Sequence, residues 1–378
     1  MAAALGVLAS CGSVKSGEDA IAASRDSKVV VAYVTSWSDV MPDPQCMTHI
    51  NYAFGHVNES FNGVKIDNEE RLKQIVDLKK QKPDLKVLLS IGGWGSGRFS
   101  EMAANDEYRR AFAVDCERVV EEFALDGIDI DWEYPTSSMA NISSSPDDTE
   151  NFTLLMQDIR AAIGNEKELT LATVASARYI DFKAILPSVD FVNIMAYDMA
   201  SAPKHHSALY PSGHSGDITS DGAVTAHLKA GVPPSKLVMG MPFYGRGGDG
   251  YPSFQDYNKV GNTDTQYTEK WDEVAQVPYL ADKNDTLVFG FENPRSLAIK
   301  CQYILDKDLL GGMYWDYSGD NEQGDLRRTV AENLLGKPHK AKVLVLTERG
   351  GQHGGFTDAG LKWLAAEGAK GNFSITEI

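Results

Sequence analysis

Apolar positions along this chain fall into two alternating rhythms. Short runs rich in Val, Ile, Tyr and Phe at 29–37, 49–57, 86–94, 127–135, 169–177, 191–199, 236–246 and 311–317 read as strands. Between most of them apolar residues recur at helical spacing, over 69–81, 106–123, 150–163, 294–307 and 326–335. Strand followed by helix, repeated eight times over about 300 residues, predicts an α/β protein built as a parallel (β/α)8 TIM barrel. A doubly wound open sheet is the alternative. It seldom needs eight such units, and no Gly-x-Gly-x-x-Gly turn follows the first strand.

Three stretches do not belong to the minimal barrel that residues 28–336 carry. Residues 247–285 are rich in Gly, Asp, Asn and Tyr, and predict a small insertion between the seventh strand and its helix. After Gly336 the pattern begins afresh, with a strand at 341–347, a Gly-rich loop, a helix at 357–370 and a strand at 373–378. That β-α-β segment, 337–378, resembles the start of a flavodoxin-like module of the trehalose-utilisation or amidotransferase-like kind. Residues 1–10 are apolar and Cys11 follows at once. Leu8-Ala9-Ser10-Cys11 resembles a bacterial lipobox, in which the Cys carries the lipid, and 12–27 form a polar linker. An exported protein is therefore expected, either secreted or held to a membrane through Cys11.

Composition narrows the partners. The 378 residues are 43% hydrophobic and 24% charged, which suits a globular chain with a full core rather than a disordered or fibrous one. A net charge of −17 repels phosphate and argues against nucleic acid. Four cysteines make no disulfide framework, and Cys46, Cys116 and Cys301 are expected as buried free thiols.

The chemistry concentrates in Asp126-Gly127-Ile128-Asp129-Ile130-Asp131-Trp132-Glu133-Tyr134-Pro135. Side chains alternate along a strand, so Asp129, Asp131 and Glu133 share one face and Ile128, Ile130 and Trp132 the other. In a barrel the apolar set packs on the outer helices and the acidic set points inside. Carboxyls crowded there titrate together, with at least one pKa pushed up. A carboxyl kept protonated near neutral pH is a general acid in waiting. Glu133 comes last, at the strand end where barrel active sites lie. The alternatives are an acidic edge strand and a carboxylate metal site. The Ile and Trp opposite disfavour the first, and the lack of nearby histidines disfavours the second.

This segment matches the D-G-x-D-x-D-W-E-Y-P signature of family 18 glycoside hydrolases, and residues 28–336 resemble their chitinase branch. Thr48-His49-Ile50-Asn51-Tyr52-Ala53-Phe54 resembles the second strand of that family. Ser90-Ile91-Gly92-Gly93-Trp94 resembles its S-x-G-G motif and Met195-Ala196-Tyr197-Asp198 its M-x-Y-D motif. Gly240-Met241-Pro242-Phe243-Tyr244-Gly245-Arg246 and Gly311-Gly312-Met313-Tyr314-Trp315 resemble its last two strands.

The resemblance implies a chitinase that cleaves β-1,4 bonds between N-acetylglucosamine residues with retention and without metal or cofactor. In that family the substrate's own acetamido oxygen attacks the anomeric carbon and forms an oxazolinium ion. Glu133 is implied as acid and then base, Asp131 as partner of the acetamido N–H, and Asp129 as sharing a proton with Asp131. Tyr197 and Asp198 are implied to hold the acetamido group and the sugar beside it, with Met195 alongside. Asp126 and Ser90 are implied to hold the carboxylate chain beside Gly92 and Gly93, and Tyr52 to lie under it. Trp315 is implied as the floor of the cleavage subsite, Trp94 on the leaving-group side and Trp37 toward the non-reducing end. Tyr244 and Arg246 are placed along the cleft. Trp132 has outward parity and is assigned to the core.

His205, His206 and His214 follow the sixth strand. Their H-H-x7-H spacing fits no standard zinc pattern, so loop packing or cleft contacts are expected. The expected partner is chitin or its oligosaccharides, bound by a monomer. Two other readings stay open. One is an endo-β-N-acetylglucosaminidase acting on N-glycan cores. The other is a non-catalytic lectin, against which the intact Glu133 argues.

Overall fold

The computed structural model describes residues 28–248, 251–260 and 266–336, and beyond them the backbone of two short strands at 341–344 and 373–376. Eight parallel strands close into a barrel: β1 (Val29–Thr35), β2 (His49–Val57), β4 (Lys86–Gly92), β5 (Gly127–Asp131), β6 (Glu168–Val174), β7 (Phe191–Met195), β8 (Leu237–Pro242) and β14 (Gly311–Trp315). The short β3 (Val64–Ile66) folds back antiparallel on β2. Closure comes where β1 pairs with both β14 and β2, Val31 standing against Met313 on one side and His49 on the other.

The period of two along each strand sorts the apolar residues into two cores. Val31, Tyr33, Phe54, Phe191, Val238 and Met313 pack inside the barrel. Val30, Ala32, Ile128, Ile130 and Trp132 face outward under the helices. These are α1 (Glu69–Val76), α2 (Phe99–Ala104), α3 (Asp106–Glu122), α4 (Asp148–Ile163), α5 (Phe182–Ile185), α6 (Ser220–Ala230), α7 (Pro294–Asp306) and α8 (Asp325–Leu335). Trp132 stacks on Phe99 of α2 at 5.3 Å and meets Phe152 of α4 edge-on at 5.8 Å, as its parity required. The helix starts are set locally. Asn105 caps α3 by accepting from Glu107 N and Tyr108 N, and Asn293 with Ser296 forms a reciprocal cap on α7 ahead of Pro294.

The insertion departs from its expected bounds. The run 236–246 is not one strand. It breaks at Phe243, after which β9 (Tyr244–Gly247) leaves the barrel and opens an antiparallel sheet. That sheet adds β10 (Gln255–Asp256), β11 (Thr268–Asp272), β12 (Val277–Ala281) and β13 (Leu287–Gly290), so the insertion runs from 244 to 290 rather than from 247 to 285.

The last two strands, β15 (Ala341–Leu344) and β16 (Phe373–Thr376), pair in parallel. The helix expected between them and Cys11 with its lipobox lie outside the described residues. Among the described residues no helix is long and apolar enough to cross a membrane. Cys46, Cys116 and Cys301 are buried thiols in no disulfide among the described residues.

Candidate active site

The acidic face of β5 points into the barrel. Asp129 is fully buried, and its carboxylate accepts from four surrounding strand residues. Tyr33 Oη of β1 and Ser90 Oγ of β4 donate to Oδ2 over 2.9 and 2.8 Å. Thr170 Oγ1 of β6 and Asn193 Nδ2 of β7 donate to Oδ1 over 2.6 and 3.3 Å. Register places two of these donors, since Ser90 and Thr170 stand directly beside Asp129 on the neighbouring strands. Burial pushes the Asp129 carboxyl up, and the hydrogen bonds oppose that rise.

One step along the same face, Asp131 is 4% exposed. Its Oδ1 is buried with no hydrogen-bond partner among the described residues. Burial holds its pKa well above the ordinary carboxylate value, and repulsion from Glu133 and Asp129 adds to this. The implied hydrogen bond between Asp129 and Asp131 is absent among the described residues, because Asp129 has spent its acceptors on its four neighbours.

Gly92 stands beside Asp131 with φ +132°, where a Cβ would lie 2.0 Å from Asp131 O. The amide of Gly93 donates to that same carbonyl over 2.9 Å. The two glycines thus let the backbone of β4 close against the acidic strand.

Glu133 lies just past the strand end, half-buried at the cavity wall. Its pKa is pushed up to about 7 by burial, with the charge of Asp198 adding to the rise and a hydrogen bond from Tyr134 opposing it. Asp198 takes a bidentate grip from Arg246, Nε to Oδ1 and Nη2 to Oδ2, both over 2.6 Å. Burial works against ionisation of Asp198, but Arg246 and His206 hold its carboxyl below the usual range. The Arg246 guanidinium also lies over the rings of Tyr244 and Phe254, each 5.3 Å away.

An aromatic floor completes the site. Trp315 stacks on Phe54 at 5.6 Å and meets Tyr33 at the same distance. Trp37 tilts toward Trp315 at 6.5 Å and is 64% exposed, and Trp94 is 62% exposed. Asp131, Glu133, Met195, Tyr197, Asp198, Tyr244, Arg246, Trp37, Trp94 and Trp315 line one cavity of about 670 Å3 at the C-terminal ends of the strands. A larger cavity of about 1200 Å3 lies between the insertion and the loop after β14, and none of these residues faces it.

Two expected positions are corrected. Tyr52 does not lie under the carboxylates. It shares outward parity with Ile50, and its hydroxyl donates to the backbone carbonyls of Asp67 and Asn68 over 3.0 and 2.8 Å. Tyr33 occupies the place expected for it. Asp126 sits at the opposite end of β5, where it accepts from Val87 N over 2.8 Å and pairs with Lys79 over 2.6 Å. It therefore ties the start of the strand and cannot hold the acidic face.

The residues the sequence reading passed over are Tyr33, Thr170 and Asn193, together with Phe54, Tyr134, Tyr179 and Phe254 in the wall. Inward parity carried the signal for the first three, each a polar group in an apolar run. His205, His206 and His214 form no metal cluster; among the described residues no group of three or more His, Cys, Asp or Glu is arranged to hold one.

Residues 29–320 match the family described as Glycosyl hydrolases family 18. The chain belongs to this family. Chitinase A1 of Niallia circulans is 30% identical over 415 residues, covering 81% of this chain and 58% of that protein, so the present chain spans little more than half of its length. Chitotriosidase-1 of Mus musculus is 31% identical over 350 residues, covering 78% and 74%. Among solved structures, a family 18 N-acetylglucosaminidase from Paenibacillus barengoltzii superposes with a TM-score of 0.75 at 33% identity, covering 81% of this chain and all of that one. A family 18 barrel thus carries these carboxyls and aromatic rings at the top of its strands.

Proposed function

We propose that the chain is a chitinase that hydrolyses β-1,4 bonds between N-acetylglucosamine units with retention, through an oxazolinium ion formed by the substrate. The observation that carries the reading is the acidic face of β5, a graded series from a buried, saturated Asp129 through an Asp131 whose buried Oδ1 has no partner among the described residues to a Glu133 with pKa about 7 at the cavity.

Glu133 protonates the leaving glycosidic oxygen and then takes a proton from the incoming water. Near neutral pH its pKa matches both tasks. The orphaned Oδ1 of Asp131 suits the acetamido N–H, and that hydrogen bond aligns the acetamido oxygen for attack. An intramolecular nucleophile so held has an effective molarity of about 10⁵ M or more. Asp129, fixed by four donors, supplies negative charge beneath the developing cation. Tyr197 lines the cavity with its hydroxyl 3.9 Å from Met313 Sδ, and in this reading it donates to the acetamido oxygen. Trp315, over Phe54, offers an apolar face to the sugar ring, and Trp94 and Trp37 offer platforms on either side.

The test is product analysis by mass spectrometry with N-acetylchitooligosaccharides and a high-mannose glycoprotein. Cleavage of the oligosaccharides into short oligomers supports the reading. Release of N-acetylglucosamine one unit at a time moves the assignment to an N-acetylglucosaminidase, and cleavage of the glycoprotein alone moves it to the N-glycan enzymes. The first-formed products carry the β anomer if configuration is retained, which NMR of fresh digests reads directly.

A further inference from the structure

The loop after β7 holds His205, His206 and Ser207 in a row, and each is tied to a different part of the molecule. His205 Nε2 lies 3.1 Å from Asp272 Oδ2 on β11 of the insertion. Ser207 Oγ donates to Glu292 Oε1 over 2.6 Å, and Glu292 pairs with Lys300 of α7. Both members of that pair are wholly buried.

His206, between them, is 1% exposed. Its ring faces Tyr244 at 5.4 Å, and its Nδ1 sits 3.5 Å from Asp198 Oδ1. The His206 carbonyl also accepts from Met199 N over 3.0 Å, which brings the loop back to the residue after Asp198. Neither ring nitrogen has a close hydrogen bond among the described residues. A buried imidazole with one long polar contact is costly, and an apolar ring would fill the same place without that cost. The group its Nδ1 addresses is the Asp198 carboxylate.

Asp198 faces two ways. Arg246 grips both of its oxygens from the cavity, where the side chains of Asp198 and Arg246 are 41% and 31% exposed. A sugar that bonds to Asp198 competes there with the guanidinium. His206 approaches from the buried side, on a loop anchored at both flanks.

We infer that His206 is a positioning residue for Asp198: it holds the carboxylate from within the fold while substrate and Arg246 share its open side. This rests on the reading that Asp198 contacts the sugar. The groups around the imidazole are Asp198 and His205 on its own loop and Tyr244 on β9, with Arg246 beyond the carboxylate. Loss of the imidazole frees the carboxylate to rotate and makes it easier to protonate, so substrate binding suffers first at low pH.

The test uses His206→Phe, which keeps the bulk against Tyr244 but has no nitrogen, and His206→Gln, which restores an amide donor. With chitotetraose, the Phe variant is expected to lose about tenfold or more in kcat/KM, mainly through KM, with the acid limb of the profile moved to higher pH. The Gln variant should recover most of both. Unchanged kinetics and an unchanged acid limb, with only a lower Tm, would overturn the inference. A second arm needs neither turnover nor a folded Phe variant. In protein labelled with ¹⁵N-histidine, the His206 Nδ1 resonance is assigned by its absence from the Gln variant. It should shift in Asp198→Asn, and a resonance that stays in place overturns the inference. If the wild type cleaves no chitooligosaccharide while this shift appears, the functional reading has failed and the contact stands.

Discussion

At the scale of single residues, the site depends on three carboxyls in three environments on one strand face. Asp129 has four donors, Asp131 has an oxygen with none, and Glu133 borders the cavity with its pKa raised to about 7. An acid that must be protonated to act fixes the sign of the pH dependence. Turnover falls as pH rises through about 7, and a profile flat to about pH 9 would contradict the assignment. The same shift affects stability. A carboxyl whose folded pKa lies above its unfolded value adds stability at low pH, and that contribution is lost as pH rises through the folded pKa. Glu133→Gln removes the charge, so its Tm should exceed that of the wild type by about 2–4 °C near pH 8, with the gap closing toward pH 5. Thermal scans at both pH values check this. Tyr33→Phe removes one of the four Asp129 donors. It should lower kcat by about tenfold while leaving the fold intact.

At the scale of elements, parity explains both what was legible and what was misread. Period-two alternation gave the eight barrel strands and the inward face of β5, because each buried face demands its own residue type. The same rule separates Tyr33, inward with Val31, from Tyr52, outward with Ile50, yet the motif-based assignment put Tyr52 under the carboxylates. Asp126 belongs to the same motif but starts the strand, some five residues before the chemistry. The break at Phe243 was hidden because Phe243 and Tyr244 carry the apolar run of β8 past Pro242 and into β9, whose other residues are Gly245, Arg246 and Gly247. Phe254 reaches the cavity from a loop of the insertion, where no periodicity constrains it. Glycine carries a prediction at this scale. Gly92→Ala would set a Cβ against Asp131 O at a φ of +132°, and should cost at least about 3 kcal/mol in urea unfolding. It should also displace Asp131 and reduce turnover more than it reduces stability at working temperature.

At the scale of the whole molecule, the barrel positions the acidic face and the insertion sheet supplies Tyr244, Arg246 and Phe254 to one wall. His205 of the loop after β7 meets Asp272 of the insertion sheet over 3.1 Å, and behind it the buried Glu292–Lys300 pair ties α7 to the same loop, the Ser207 carbonyl accepting from Lys300 Nζ over 2.5 Å. Lys300→Met leaves the buried Glu292 without its cation, with Ser207 Oγ still donating to it, and should destabilise the protein by about 3–5 kcal/mol. Adding Glu292→Leu removes the orphaned charge and should recover much of that loss, which a double-mutant cycle in urea would measure.

The role proposed for Glu133, proton donor in a sugar-cleaving site, can be tested in one comparison. The most direct test compares wild type and Glu133→Gln on N-acetylchitotetraose, with products read by mass spectrometry and binding by calorimetry. The wild type is expected to cleave, and the variant to bind with similar affinity but yield no product above background. Near-normal turnover in the variant, or a wild type that binds without cleaving, would contradict that role.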